Sequence, residues 1–169
     1  MNHSIDTASD GTPHLPQRKH LRRLDIIFEQ HRAPLYYITG CVQNRQPVLA
    51  THATAAILAD AWKNSLAIYG WLIGFYMIMP DHIHFFTSPG KGDAKSLSRF
   101  QGDWKRWTQG CLREIGIPSF TWQKEFFDHL LRSKESYEEK WNYVRMNPVK
   151  EKLVARPEDW PFQGEIHKL

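Results

Sequence analysis

The stretch WLIGFYMIMPDHIHFFT, residues 71–87, reads as two strands and the turn between them. Trp71 to Met79 is an almost unbroken apolar run bounded by Gly70 and Pro80. It is too short for a membrane span and short for a helix, so it predicts a central strand covered on both faces. Pro80 and Asp81 turn the chain, and His82 to Thr87 returns as a second strand. Side chains on a strand alternate between faces, so His82 and His84 point one way and Ile83 points into the core. Two imidazoles about 7 Å apart along a strand can converge on one divalent cation. Two surface histidines on a half-buried strand fit the same pattern.

Working outward, Leu35 to Val42 (LYYITGCV) is rich in β-forming residues and predicts a strand. His52 to Tyr69 has Ala and Leu at helical spacing, with Gly70 as its stop. In Lys95 to Arg113, the residues Leu97, Phe100, Trp104, Trp107 and Cys111 recur at steps of three and four. They predict one buried stripe, with the basic side chains elsewhere on the helix. Phe120 to Leu131 holds a further strand or two. A last helix is expected from Ser136, where Ser136 and Glu139 have capping-box spacing, to about Asn147, before Pro148. The order is β-α-β-β-α-β plus an extra helix. That predicts an α+β, ferredoxin-like fold, with an antiparallel sheet, helices on one face and the other face free to bind.

The bulk properties are compatible with an anionic partner. The chain has 169 residues, enough for one domain, with 41% hydrophobic residues, 13% aromatic residues and a formal charge of +4. Cys41 and Cys111 are the only cysteines and form no paired motif, which argues against a disulfide framework or cysteine zinc site. No apolar run spans a membrane and the first residues lack a signal-peptide core, so a soluble cytoplasmic protein is expected, nucleoid-associated when bound to DNA. The polar start predicts a mobile arm. QRKHLRR follows it, and there Arg18, Lys19, Arg22 and Arg23 could grip phosphates or form a merely solvated basic segment.

A second constellation lies near the end. Tyr143 and Asn147, four apart, share a face if the helix runs through both. The tyrosine could be a nucleophile and the amide oxygen a metal ligand; equally, one could pack and the other cap the helix. The remaining tyrosines are less suited to chemistry. Tyr36, Tyr37, Tyr69 and Tyr76 fall in or beside apolar segments, and Tyr137 lies about 240° round the helix from Tyr143.

The segments MPDHIHFF (79–86), WQKEFFDHLLR (122–132), YVRMNPVKEKLV (143–154) and DWPF (159–162) together resemble the single-tyrosine HUH transposases. The similarity is greatest to the branch that acts on repeated palindromic elements, the REP-associated tyrosine transposases, and it extends over roughly residues 35–162. One departure is Gln163-Gly164, where small hydroxyl residues are usual. The resemblance implies that His82 and His84 are the metal-binding pair, that Asn147 supplies a third metal contact, and that Tyr143 is the nucleophile. It implies Mg²⁺ or Mn²⁺ as cofactor, a 5′-phosphotyrosine intermediate, and single-stranded DNA with hairpin elements as partner of a monomer or homodimer. It divides the chain into a flexible basic arm (1–32), a catalytic domain (33–155) and a C-terminal tail (156–169). Lys95, Arg99, Arg106 and His129 join the four arm residues as expected DNA contacts. Two other readings stay open: a non-catalytic single-stranded nucleic-acid-binding module on the same fold, and a hydrolase using metal-activated water.

Overall fold

The structure is a computed structural model that describes residues 33–90, 92–117, 120–131 and 134–169. Its centre is a five-stranded sheet in the order β4-β1-β3-β2-β5. The strands are β1 (Leu35–Cys41), β2 (Trp71–Ile78), β3 (His82–Pro89), β4 (Phe127–Leu131) and β5 (Gln163–Glu165). Every neighbouring pair is antiparallel. The first four strands have the ferredoxin-like order expected from the sequence, and β5 adds an edge beside β2. Thus part of the segment expected as a tail, 156–169, belongs to the sheet.

One face of the sheet carries α1 (His52–Lys63) and α3 (Leu97–Glu114). Ile38, Ile83 and Phe85 pack there against Leu58, Trp62, Phe100 and Trp104. The Trp62 ring meets Tyr76, Phe85 and Trp104 at centroid distances of 5.1, 5.3 and 6.2 Å. The opposite face, expected to be free, is largely covered instead. Tyr37, Met77 and Phe86 present too much apolar surface to leave in water. α4 (Lys134–Val144) and Trp160 close over them with Tyr137 and Val144. The apolar run in β2 therefore faces two cores, as a strand covered on both sides should. Its pairing with β3 shifts register between Ile73 and Tyr76, so Ile73 faces the first core while Phe75 and Met77 face the second.

Four local expectations need correction. The helix expected over 52–69 breaks at Asn64 into α1 and α2 (Ser65–Tyr69). The buried Ser65 hydroxyl is engaged by two carbonyls, those of Trp62 and Trp71, at 2.6 and 2.7 Å. Gly70 ends α2 at φ 76°, and a Cβ there would come within 2.7 Å of the Ala94 backbone. On α3, Trp107 is 46% exposed, and the buried stripe runs through Thr108 instead. The Thr108 hydroxyl donates back to the Trp104 and Lys105 carbonyls, so a polar residue sits there at little cost. α4 begins at Lys134, which puts Ser136 inside the helix rather than at its cap. It ends at Val144, and Pro148 stands in the first turn of a separate short helix, α5 (Asn147–Lys150), where a residue without an N–H is tolerated. Between Phe120 and Leu131 one strand forms, preceded by a single bridge between Val42 and Trp122.

Lys105 is buried on α3, and its ammonium donates to the Gln123 and Glu125 carbonyls at 3.0 and 3.3 Å. These bonds tie the helix to the chain that leads into β4. Burial pushes its pKa down from 10.5 to about 8. Between those values the unfolded chain holds a proton that the folded one has released, so stability rises with pH across this window. Urea unfolding measured from about pH 8 to about pH 10 should show that rise in the wild type and a weaker one in Lys105→Met. Equal slopes in the two proteins would remove Lys105 as the cause.

Candidate metal centre and nucleophile cleft

His82 and His84 project from β3 onto the face covered by α4, because Ile83 between them fills the first core. The β1–β3 register sets Thr39 opposite His84 and Cys41 opposite His82, and Tyr37 lies two residues along on the same side. The Tyr37 hydroxyl is 2.7 Å and the Thr39 hydroxyl 3.0 Å from His84 Nδ1. His82 Nδ1 is 2.6 Å from Asp81 Oδ1, and the other Asp81 oxygen accepts from Arg45 Nε at 2.7 Å. Arg45 reaches it from a turn in which Asn44 and Arg45 both take positive φ, 56° and 55°. Each histidine is thus gripped by its Nδ1, and the two Nε2 atoms face one another 3.1 Å apart.

That separation fits a shared cation. Two adjacent ligands on an octahedral ion with bonds of about 2.1 Å stand roughly 3.0 Å apart. The protonation states fit as well. Burial, with the nearby charges of His82, Lys140 and Arg45, pushes His84 down to about 3, which keeps its ring neutral. Burial pushes Tyr37 up to about 12, so its hydroxyl stays protonated. The tautomers decide which ring donates between the Nε2 atoms, and the partners of His84 Nδ1 are the Tyr37 and Thr39 hydroxyls. Were both Nε2 lone pairs turned to a cation, the His84 proton would sit on Nδ1, and Tyr37 or Thr39 would accept from it. Hydroxyls suit either state because they both donate and accept. Among the described residues no group of three His, Cys, Asp or Glu could hold a metal. Further ligands would come from an amide, water or substrate oxygen, a mixture that suits Mg²⁺ or Mn²⁺.

Tyr143 lies near the end of α4 on this side of the sheet and is 60% exposed, whereas Tyr37 and Tyr137 are buried and Tyr36, Tyr69 and Tyr76 pack against the first core. With His129, Leu131, Glu139 and Lys140 it lines an open cleft of about 260 Å³. His129 stands opposite Tyr37 in the β1–β4 register. Lys150 Nζ sits 3.6 Å from the centroid of the Tyr143 ring. Lys140 Nζ lies 5.4 Å from that ring and 4.6 Å from the ring of Tyr37, the residue whose hydroxyl meets His84.

Asn147 opens α5, half-buried, across a turn from Tyr143 rather than on the same helix. The other expected DNA contacts are scattered. Arg18, Lys19, Arg22 and Arg23 lie outside the described residues. Arg99 and Arg106 sit on α3, which packs on the sheet face away from the histidines, and both pair with Asp103. Lys95 lies just before that helix with its ammonium over the Tyr69 ring at 4.8 Å. Sequence reasoning missed Tyr37, Thr39, Asp81 and Lys140. Asp81 adjoins His82 and Lys140 is one helical turn before Tyr143, so both carried a local signal. Tyr37 and Thr39 become neighbours of His84 only through strand register.

No family model matches the chain. The sequence is 32% identical over 91 residues to a REP-associated tyrosine transposase of Escherichia coli K12, a match covering 53% of this chain and about half, 52%, of that protein. It is 26% identical over 143 residues to a Haemophilus influenzae protein provisionally named for the same class, covering 77% of the chain and 78% of the relative. The fold matches a REP-associated tyrosine transposase solved with a REP hairpin, at TM-score 0.63 and 22% identity over 82% of this chain and 90% of that one. No helix among the described residues is long and apolar enough to cross a membrane.

If the Asp81 carboxylate orients His82 for a cation, Asp81→Asn should weaken Mn²⁺ binding by about tenfold or more in calorimetric titration. Unchanged affinity would show that Asp81 serves the turn and not the pair. In sequence and in fold, the chain resembles the REP-associated tyrosine transposases.

Proposed function

We propose that this chain is a transposase-type enzyme that cuts and rejoins single-stranded DNA beside hairpins, with Tyr143 as nucleophile. The observation that carries the reading is a pair of pre-oriented imidazoles whose Nε2 atoms lie 3.1 Å apart, with one exposed tyrosine on the same side of the sheet. A hydrolase using activated water would have no need of that tyrosine. A related fold has been solved bound to a REP hairpin, which supports the choice of substrate.

His82 and His84 would hold Mg²⁺ or Mn²⁺, with Asn147 as a further oxygen donor. When bound, the ion supplies positive charge and orientation to the scissile phosphate. The Tyr143 hydroxyl attacks phosphorus, its proton passes to water, and the bond from phosphorus to the 3′ oxygen breaks. The 3′ oxygen leaves with the bonding pair and takes a proton from water. The product is a 5′-phosphotyrosine and a free 3′-OH. A second 3′-OH can reverse the step, and since one phosphodiester replaces another, no energy source is required. His129 and the flanking lysines of the cleft would guide the strand to Tyr143. The basic segment at 18–23 would add contacts to phosphates that carry no sequence information.

The test uses labelled hairpin DNA with a single-stranded flank, Mn²⁺ and denaturing gels. Wild type should form a covalent adduct on this DNA and spare the fully paired duplex. Tyr143→Phe keeps the ring and its packing, so folding should persist, hairpin binding should stay within a few-fold, and the adduct should vanish. His82→Ala should also abolish cleavage. An adduct in Tyr143→Phe would overturn the assigned nucleophile. Hairpin binding with no adduct in the wild type would favour a binding module.

A further inference from the structure

Lys140 joins the two halves of the candidate site. It lies three residues before Tyr143 on α4, so the two share a helix face. Its Nζ stands 4.6 Å from the ring of Tyr37, whose hydroxyl holds His84, and 5.4 Å from the ring of Tyr143. It lines the cleft with Tyr143 and His129 and makes no ion pair among the described residues. Lys150 differs: it comes from α5 and lies closer to the Tyr143 ring, at 3.6 Å. That position suits seating the ring, whereas Lys140 stands in the cleft between the ring that supports His84 and the phenol of Tyr143.

We propose that Lys140 is a further catalytic residue, whose ammonium contacts a non-bridging oxygen of the scissile phosphate while Tyr143 attacks. This role rests on the reading of Tyr143 as nucleophile. Charge accumulates on the non-bridging oxygens as phosphorus passes from the 3′ oxygen to the tyrosine oxygen. A fixed ammonium on the nucleophile's side of the phosphate complements the cation on the histidine side. Lys140 stays protonated throughout, and the atoms balance as in the tyrosine transfer itself. The same contact serves the reverse step, because the phosphotyrosine places its phosphate beside the same ammonium.

The experiment compares wild type, Lys140→Met, Lys140→Arg and Lys63→Met. The last removes an equal charge from the exposed end of α1, on the other sheet face. Single-turnover adduct formation on the hairpin oligonucleotide is measured beside hairpin affinity and Mn²⁺ affinity. Lys140→Met, which keeps an unbranched apolar stem and removes the ammonium, should slow adduct formation by about a hundredfold. Hairpin affinity should stay within a few-fold, and Mn²⁺ should bind as well as or better than in wild type. Lys140→Arg should recover much of the rate, which a purely steric strut would not require. If wild type forms the adduct and Lys140→Met matches its rate, the inference falls and the nucleophile assignment stands. It falls equally if Lys140→Met and Lys63→Met lose rate and affinity in parallel, since that marks a general charge effect. If wild type forms no adduct, both readings fall together.

Discussion

The pairing of β1 with β3 is the constraint on which the remaining geometry depends. Its register sets Tyr37 against Phe86, Thr39 against His84 and Cys41 against His82. The same ladder sends Ile38 and Ile83 into the opposite core. A slip of one residue would turn Tyr37 and Thr39 away from His84 and drive Ile38 among the polar groups, so the hydrophobic core and the histidine supports enforce one alignment together. The imidazole positions are therefore secured by the burial of side chains that take no part in chemistry.

The second core meets a different demand: it must hold a helix firmly while leaving part of it open. α4 is anchored through Tyr137, which packs edge-on against Phe86 at 4.7 Å, and through Trp141, which stacks on Phe75 at 4.7 Å. Val144 is fully buried near its end. These positions recur at steps of four and three, one stripe of the helix. Lys140 and Tyr143 each stand one residue before an anchor, at the border of the buried stripe. An exposed phenol is thereby carried on a firmly anchored helix. The aromatic weight of the chain is concentrated in these anchors and in the Trp62–Trp104 cluster, and little of it faces solvent.

Much of the fold was legible because it follows from local alternation. The apolar run at 71–79, the turn at Pro80-Asp81 and the parity of His82, Ile83 and His84 need no knowledge of distant residues. Features that depend on tertiary competition were not legible. The shift in β2 near Gly74 changes which face Ile73 occupies, and the break at Asn64 turns on a serine caught between two carbonyls. Trp107 and Thr108 both suit the helical spacing of the buried stripe, and packing chose the threonine because its hydroxyl is satisfied within its own helix. Pro148 was recognised as a boundary, but local sequence cannot distinguish a stop from a new start. At the candidate site, the shared parity of the two histidines was legible, whereas Tyr143 was singled out by the resemblance, since the helical spacing that joined it to Asn147 is broken between α4 and α5. Thr39 and Tyr37 look like ordinary strand residues until register brings them to an imidazole.

The short strand β5 and the buried Trp160 have a consequence for synthesis. β2 is the most apolar strand, and its free edge is covered only when Gln163–Glu165 pair with Phe75–Met77. Trp160 donates from its indole to the Ile78 carbonyl and fills the second core from the same direction. A chain emerging residue by residue can assemble β1 to β4 and still display a bare, hydrophobic edge strand until residues 160–165 arrive. In that interval the nascent domain is open to pairing with a neighbour's strand. Translation pauses or premature stops before Trp160 should therefore be felt as aggregation in the cell, well apart from any effect on chemistry.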